Sequence, residues 1–291
     1  MITVSRAAIC KIEETSYPAV GFGTYLLTEE EAFLAVQQAG ECGYRLFDTA
    51  TFYRNFVPVG RAIRQMGREK AYIISKVWPD AQTKLLLKKD LERTLQELGI
   101  QQLDAYLIHW PNHTIPIEET LGEMESLRQE GKIRHLGFSN VTVAHLTRAM
   151  ECGIPFSWVQ IEMHPHFCDF PLLEWCQERK IGLQAWAPLG RGQLSVDPDL
   201  IAIGQKYAKT ASQVALRWVV QNGCVPLPCS RNPLHMAANF AVADWALSSE
   251  DMQHINRQAK QGKRTRISLE RGLGFMDEFD FTYPECWPYI P

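Results

Sequence analysis

A chain of 291 residues that is 46% hydrophobic and 22% charged, with a formal net charge of −3, has the composition of a soluble enzyme, which excludes an intrinsically disordered chain. The near-balanced charge gives no electrostatic reason to expect nucleic acid or an anionic membrane as partner. No run approaches the ~18 apolar residues of a membrane helix. Chain order begins with MITVSRAAICKIEE, which lacks the apolar core of a leader, so a cytoplasmic protein is expected. Short apolar, β-branched runs then alternate with segments of helical period, the pattern of βα units and a parallel sheet. The predicted strands are Ala19–Gly23, Arg45–Phe47, Ala71–Ser75, Ala105–Ile108, Ile133–Phe138, Trp158–Ile161, Gly182–Ala185 and Val225–Leu227. Between them, Thr28-Glu-Glu-Glu31 has the spacing of a capping box, in which hydroxyl and carboxylate satisfy donors at a helix start. Gln82–Leu98 and the segments 116–130, 142–151, 171–179, 210–221 and 233–243 also read as helices.

Eight strands alternating with helices predict a single-domain (β/α)8 TIM barrel, an α/β fold spanning residues 1–291. The length suits it, since such barrels run to about 250 residues or more. An open doubly wound sheet is the competing architecture, but it needs a glycine-rich phosphate turn. Gly21-Phe22-Gly23-Thr24 lacks the third glycine and enters no helical pattern. The tail from about 262 to 291, with Phe275, Phe279, Phe281, Trp287 and Tyr289, is expected to pack over the barrel, where it could wall a pocket.

Barrel enzymes carry reactive groups at the C-terminal ends of their strands, above a packed and rigid interior. Asp48, Lys76 and His109 each stand at or just past such an end, and Tyr53 follows five residues after Asp48. Singly, each has an ordinary structural use: a turn cap for the aspartate, a half-buried aromatic for the tyrosine, a satisfied imidazole for the histidine. A lysine ending an interior strand is harder to dismiss, because a buried ammonium needs an anionic or hydrogen-bonding partner. Asp48 on the neighbouring strand supplies one. Held by Asp48, Lys76 would stabilise a developing tyrosinate, lower the pKa of Tyr53 and make it a proton donor to a carbonyl oxygen, with His109 orienting that oxygen. The absence of a GxSxG elbow disfavours a hydrolase. Glu162 is the only evident strand-end partner for Asp48, and nothing marks the two as a glycosidase pair. The eight cysteines contain no CxxC pair, so reduced thiols are expected. His164 and His166 lack further ligands at suitable spacing, so no metal is expected.

The motifs GFGTY, FDTATFYRN, ISKVW, LIHWP, GKIRHLGFSN, VQIEMHP, WAPLGRG and TASQVALRWVVQNGCVPLPCS, in this order across nearly the whole chain, resemble the aldo-keto reductase family. The resemblance implies a (β/α)8 barrel that binds NADP(H) or NAD(H) without a dinucleotide-binding Rossmann fold and reduces aldehydes or ketones to alcohols. Carried onto this sequence, it implies that Tyr53 is the proton donor, tuned by Lys76 and Asp48, with His109 orienting the carbonyl. Gly23 and Thr24 fall at the cofactor mouth. Ser139, Asn140 and Gln160 match groups that hold the nicotinamide carboxamide, although Asn140 could also cap the helix that follows. Trp186 stands where a tyrosine more often stacks on the nicotinamide. Pro188, Leu189, Gly190 and Arg191 fall in the loop that clasps the pyrophosphate, Ser230, Arg231 and Asn239 at the adenosine end, and Tyr25, Trp78 and Trp110 on the substrate walls.

Departures from the family pattern carry their own implication. Cys229 replaces the lysine, and His235 the arginine, that the family uses for the adenosine 2′-phosphate, while Arg231 could take over by pairing with the phosphate or lying on adenine. NADP(H) is therefore expected to be preferred, with NAD(H) possible. Phe56 replaces a common glutamate, which bears on loop packing alone. A small-molecule carbonyl is the expected partner, acting on a monomer. The alternative is a cofactor-binding regulatory protein with little turnover, which would need the cofactor contacts but not the four reactive groups.

Overall fold

The computed structural model of the chain describes residues 2–4, 9–112 and 114–262. The predicted packing of the tail, and of Phe275, Phe279, Phe281, Trp287 and Tyr289 within it, lies outside these residues. The strands are β1 (Ile2–Val4), β2 (Ile9–Ile12), β3 (Thr15–Pro18), β4 (Phe22–Gly23), β5 (Leu46–Asp48), β6 (Tyr72–Val77), β7 (Leu103–Ile108), β8 (Ile133–Ser139), β9 (Trp158–His164), β10 (Phe167–Cys168), β11 (Gly182–Trp186) and β12 (Cys224–Pro226). The helices are α1 (Glu29–Cys42), α2 (Phe56–Met66), α3 (Lys84–Leu98), α4 (Ile117–Gln129), α5 (Val143–Glu151), α6 (Phe170–Glu178), α7 (Pro198–Tyr207), α8 (Ala211–Gln221), α9 (Pro233–Phe240) and α10 (Ser249–Gln261).

Eight strands, β4 to β9 with β11 and β12, pair in parallel in the order β12-β11-β9-β8-β7-β6-β5-β4. Backbone bonds from Gly21 N to the Pro226 carbonyl and from Gly23 N to the Pro228 carbonyl, both 3.0 Å, join the first strand to the last and close the barrel. Closure removes both sheet edges. β6, β7 and β9 are buried at every position, because a barrel strand has side chains inside and helices outside. That double burial is why these segments read as continuous apolar runs.

The antiparallel hairpin β1-β2-β3 was not among the predicted elements. Its β2 strand alternates exposed and buried residues, so one face packs and the other meets solvent. Ile2 and Ile12 are buried. A Cβ built on Gly182, the first residue of β11, would lie 2.5 Å from Ile2 Cγ2. The hairpin thus packs at the N-terminal end of the barrel, and a cavity among the described residues opens at the opposite end.

Also unpredicted were α2, α7 and α10. Pro58 in the first turn of α2 obscures its pattern, yet proline is tolerated there because those N–H groups have no intrahelical acceptor. At Gly60 on the same helix, an added Cβ would run into the backbone of α3, 2.6 Å from Leu98 Cα. Gly60→Ala is therefore expected to destabilise the fold by about 2 kcal/mol, the usual cost of overpacking against backbone. A shift in the denaturant midpoint at constant slope checks this. No described helix is long and apolar enough to cross a membrane.

Candidate active site

The four reactive groups meet at the open mouth because strand register places them there. Asp48 ends β5, Lys76 is the penultimate residue of β6, and His109 follows β7, its N–H bonded at 3.0 Å to the Val77 carbonyl. Tyr53 reaches the same point from a short 3-10 turn, Thr51–Tyr53. That turn is anchored by the Thr51 hydroxyl, which donates at 2.8 Å to the buried Asp90 of α3. Behind it Asn55, also buried, donates to the Thr24 and Leu27 carbonyls at 2.8 and 3.2 Å and accepts from the Thr49 hydroxyl at 3.1 Å.

Lys76 is fully buried, and its ammonium donates to Asp48 Oδ1 at 2.7 Å, the Thr49 carbonyl at 3.0 Å and the Tyr53 hydroxyl at 3.2 Å. An ammonium has three N–H donors and no lone pair. All three are therefore used, and the phenolic oxygen must act as the acceptor in its bond to Lys76. The phenolic proton is left to point elsewhere. Asp48 Oδ2 accepts from the Gln160 amide at 2.8 Å, which donates also to Gln184 Oε1 at 2.8 Å.

Burial sets the protonation states. It pushes the Tyr53 phenol well above its ordinary value, with the Asp48 carboxylate adding to the effect. This differs from the expected lowering by Lys76, because the lysine's charge is already balanced by Asp48 in a site that penalises any anion. Burial also lowers the Lys76 ammonium, opposed by Asp48. The His109 imidazole is driven well below its normal range by burial and then by the neighbouring Lys76. It is neutral, and its buried Nδ1 has no hydrogen-bond partner among the described residues.

Asp48, Tyr53 and His109 line a cavity of about 800 Å³, within the size range of cofactor and substrate sites. Gly23, Tyr25, Trp78 and Trp110 line it with Asp48, Tyr53 and His109. Trp78 and Trp110, expected on the substrate walls, lie on this cavity. Trp78 stacks on Phe52 at 4.3 Å and meets His109 edge-on at 5.0 Å, while the Trp110 carbonyl accepts from Gln82 at 2.6 Å. Phe52 lines the same cavity and was missed, although its place in FDTATFY beside Tyr53 was a usable signal.

Along the cavity follow Ser139, Asn140, Gln160, Trp186, Pro188 and Leu189, with Arg191 beyond. Asn140 donates to the His109 carbonyl at 2.9 Å and the Ser139 hydroxyl at 3.0 Å, and accepts from the Trp186 indole at 2.9 Å. It does not cap α5, whose N-cap is Thr142. Leu26, Asn140, Ala187 and Arg191 line the cavity with φ between 49° and 67°. Such left-handed backbone in non-glycine residues gathers at functional sites. Ser230, Arg231, His235 and Asn239 line the part beside β12 and α9, with Cys229. Arg231 is occupied there by Glu31 Oε1 at 2.8 Å and the Leu26 carbonyl at 2.7 Å.

Three predicted residues do not line the cavity. Thr24 is fully buried, its hydroxyl donating at 2.9 Å to the Asp48 carbonyl, so it braces β5. Gly190 is buried beneath Leu194, with φ 55°. Lys76 likewise sits behind Tyr53. Gln184, missed from the sequence, braces Gln160 from within GLQAW.

The residues fit a nicotinamide dinucleotide. The half-buried indole of Trp186, the Tyr53 hydroxyl and the side chains of Arg191 and Arg231 all belong to one cavity. The profile of the Aldo/keto reductase family matches residues 19–260. An aldo-keto reductase of Mycolicibacterium smegmatis is 38% identical over 253 residues, covering 86% of this chain and 92% of the relative. The glyoxal reductase of Bacillus subtilis is 37% identical, covering 82% of this chain and 88% of that one. The solved aldose reductase of Schistosoma japonicum superposes with a TM-score of 0.84 at 30% identity, over 97% of this chain and 99% of that chain. On its fold, its profile match and its relatives, this chain belongs to the aldo/keto reductase family, whose chemistry is carbonyl reduction.

Proposed function

We propose that the protein reduces small aldehydes, 2-oxoaldehydes and aryl aldehydes among them, with Tyr53 as proton donor and NADP(H) preferred over NAD(H). One observation carries the assignment of roles: Lys76 Nζ lies between Asp48 Oδ1 at 2.7 Å and the Tyr53 hydroxyl at 3.2 Å. Lys76 donates to the phenolic oxygen, so the Tyr53 proton is the one available to a carbonyl oxygen in the cavity. As that proton leaves, the same ammonium stabilises the growing phenolate, the form that burial otherwise disfavours. Neutral His109 offers an N–H that fixes the carbonyl oxygen beside Tyr53. Tyr25, Phe52, Trp78 and Trp110 exclude water and favour a flat or compact substrate. Ser139, Asn140, Gln160 and Trp186 would hold the nicotinamide, and Pro188, Leu189 and Arg191 its phosphates. When bound, the reduced nicotinamide supplies the hydride to the carbonyl carbon. Ser230, Arg231 and Asn239 would take the adenosine half, with discrimination weakened by Cys229 and His235. A purely regulatory binder would have no use for a buried lysine that is held by Asp48 and also donates to the Tyr53 oxygen.

Loss of NADPH absorbance against a panel of aldehydes tests the activity, and binding without turnover on every aldehyde would overturn it. The pH profile tests the state of His109. Because burial and Lys76 depress its basicity, the imidazolium forms only well to the acid side of the ordinary value near 6.5. Acidification from about pH 8 to 6 should therefore leave kcat/KM for reduction level; a fall centred near 6.5 would show a normally titrating histidine instead.

A further inference from the structure

The guanidinium lining the cavity beside Ser230, His235 and Asn239 already has an anion. Arg231 Nε donates to Glu31 Oε1 at 2.8 Å, and Nη2 donates to Glu31 Oε2 at 3.2 Å and to the Leu26 carbonyl at 2.7 Å. Two parallel bonds to one carboxylate are the arrangement in which arginine binds most specifically. Glu31 is itself fixed, because at the third position of α1 it accepts from the Thr28 N–H at 3.0 Å and the Thr28 hydroxyl at 2.8 Å. Arg231, then Thr28, hold its carboxyl down at about 2, so it is ionised wherever the protein is folded near neutrality. Leu26 turns its carbonyl to Arg231 from a left-handed backbone, φ 67°.

We propose that Glu31 is a specificity-determining residue, competing with the adenosine 2′-phosphate for Arg231 and so opening the cavity to NAD(H) as well as NADP(H). This rests on the cofactor reading given above. A dianionic phosphate against Arg231 must displace the carboxylate or lie beside it, and like charges at that range repel. The uncharged 2′-hydroxyl of NAD(H) meets no such opposition and finds both a donor and an acceptor. Arg231 and Glu31 are part-exposed, their side chains at 55% and 39%, so water and salt moderate the effect.

Glu31→Gln tests this without undoing α1, since glutamine also serves at the third position of a capping box. Binding of NADPH and NADH is followed by quenching of tryptophan fluorescence, which needs no turnover. The variant is expected to bind NADPH about fivefold more tightly with NADH affinity unchanged, the gain shrinking as salt rises. Glu30→Gln, removing the same charge from a residue paired with Arg61 instead, should leave both affinities alone. In an Arg231→Ala background the Glu31→Gln gain should vanish. The proposal is overturned if Glu31→Gln leaves NADPH affinity unchanged or weakens it, if Glu30→Gln has the same effect, or if the gain survives without Arg231. Failure of the unmutated protein to bind either dinucleotide would instead remove the cofactor reading itself.

Discussion

Tyr53→Phe is expected to lower kcat for aldehyde reduction by about a thousandfold, within the range that a positioned general acid supplies, with cofactor affinity unchanged. The substitution removes one oxygen and keeps the ring, which packs at 5.0 Å from Tyr25 and 5.8 Å from His109. Lys76 retains Asp48 and the Thr49 carbonyl at 2.7 and 3.0 Å and loses its third acceptor. An unpaired buried donor costs about 1–3 kcal/mol, so a modest loss of stability accompanies the loss of rate. Steady-state kinetics with a fluorescence titration of the cofactor separate the two. A variant turning over within about tenfold of the parent, far less than a general acid contributes, would give the proton to another group.

Much of this site was legible in the sequence because its members stand at strand ends, and strand ends are readable from apolar runs. YIISKVW and AYLIHWP are buried at every strand position, so the polar residue closing each run marks the mouth of the barrel. The eight barrel strands were predicted near their observed positions, although Ala19–Gly21, Arg45, Ala71 and Leu227 fall outside the observed strands. Pairings between remote side chains were not legible. Gln160 and Asp48 are 112 residues apart and bond at 2.8 Å only because the closed barrel brings β9 and β5, with three strands between them in the sheet, to face each other across its interior. Likewise Glu31 read as a capping residue alone, and it is one; its partner Arg231 lies 200 residues away. The hairpin β1-β3 escaped notice because its strands are three or four residues long. Thr24 shows the converse, a residue placed at the cofactor by its motif whose hydroxyl serves the backbone of β5.

The second large effect concerns Lys76→Met, which strands Asp48. Both side chains of the pair are nearly inaccessible, at 0% and 5% exposure, and removing one member of a buried pair costs about 3–5 kcal/mol because the other keeps its charge without its counter-ion. Asp48 keeps the Gln160 amide at 2.8 Å, too little to replace an ammonium. Adding Asp48→Asn removes the stranded charge, and the double variant should recover more than half of the lost stability in denaturant unfolding. Activity should not return with it, since no cation then faces the Tyr53 oxygen. Recovery of both would mean that the pair serves folding alone, whereas recovery of neither would mean that Lys76 packs rather than compensates charge.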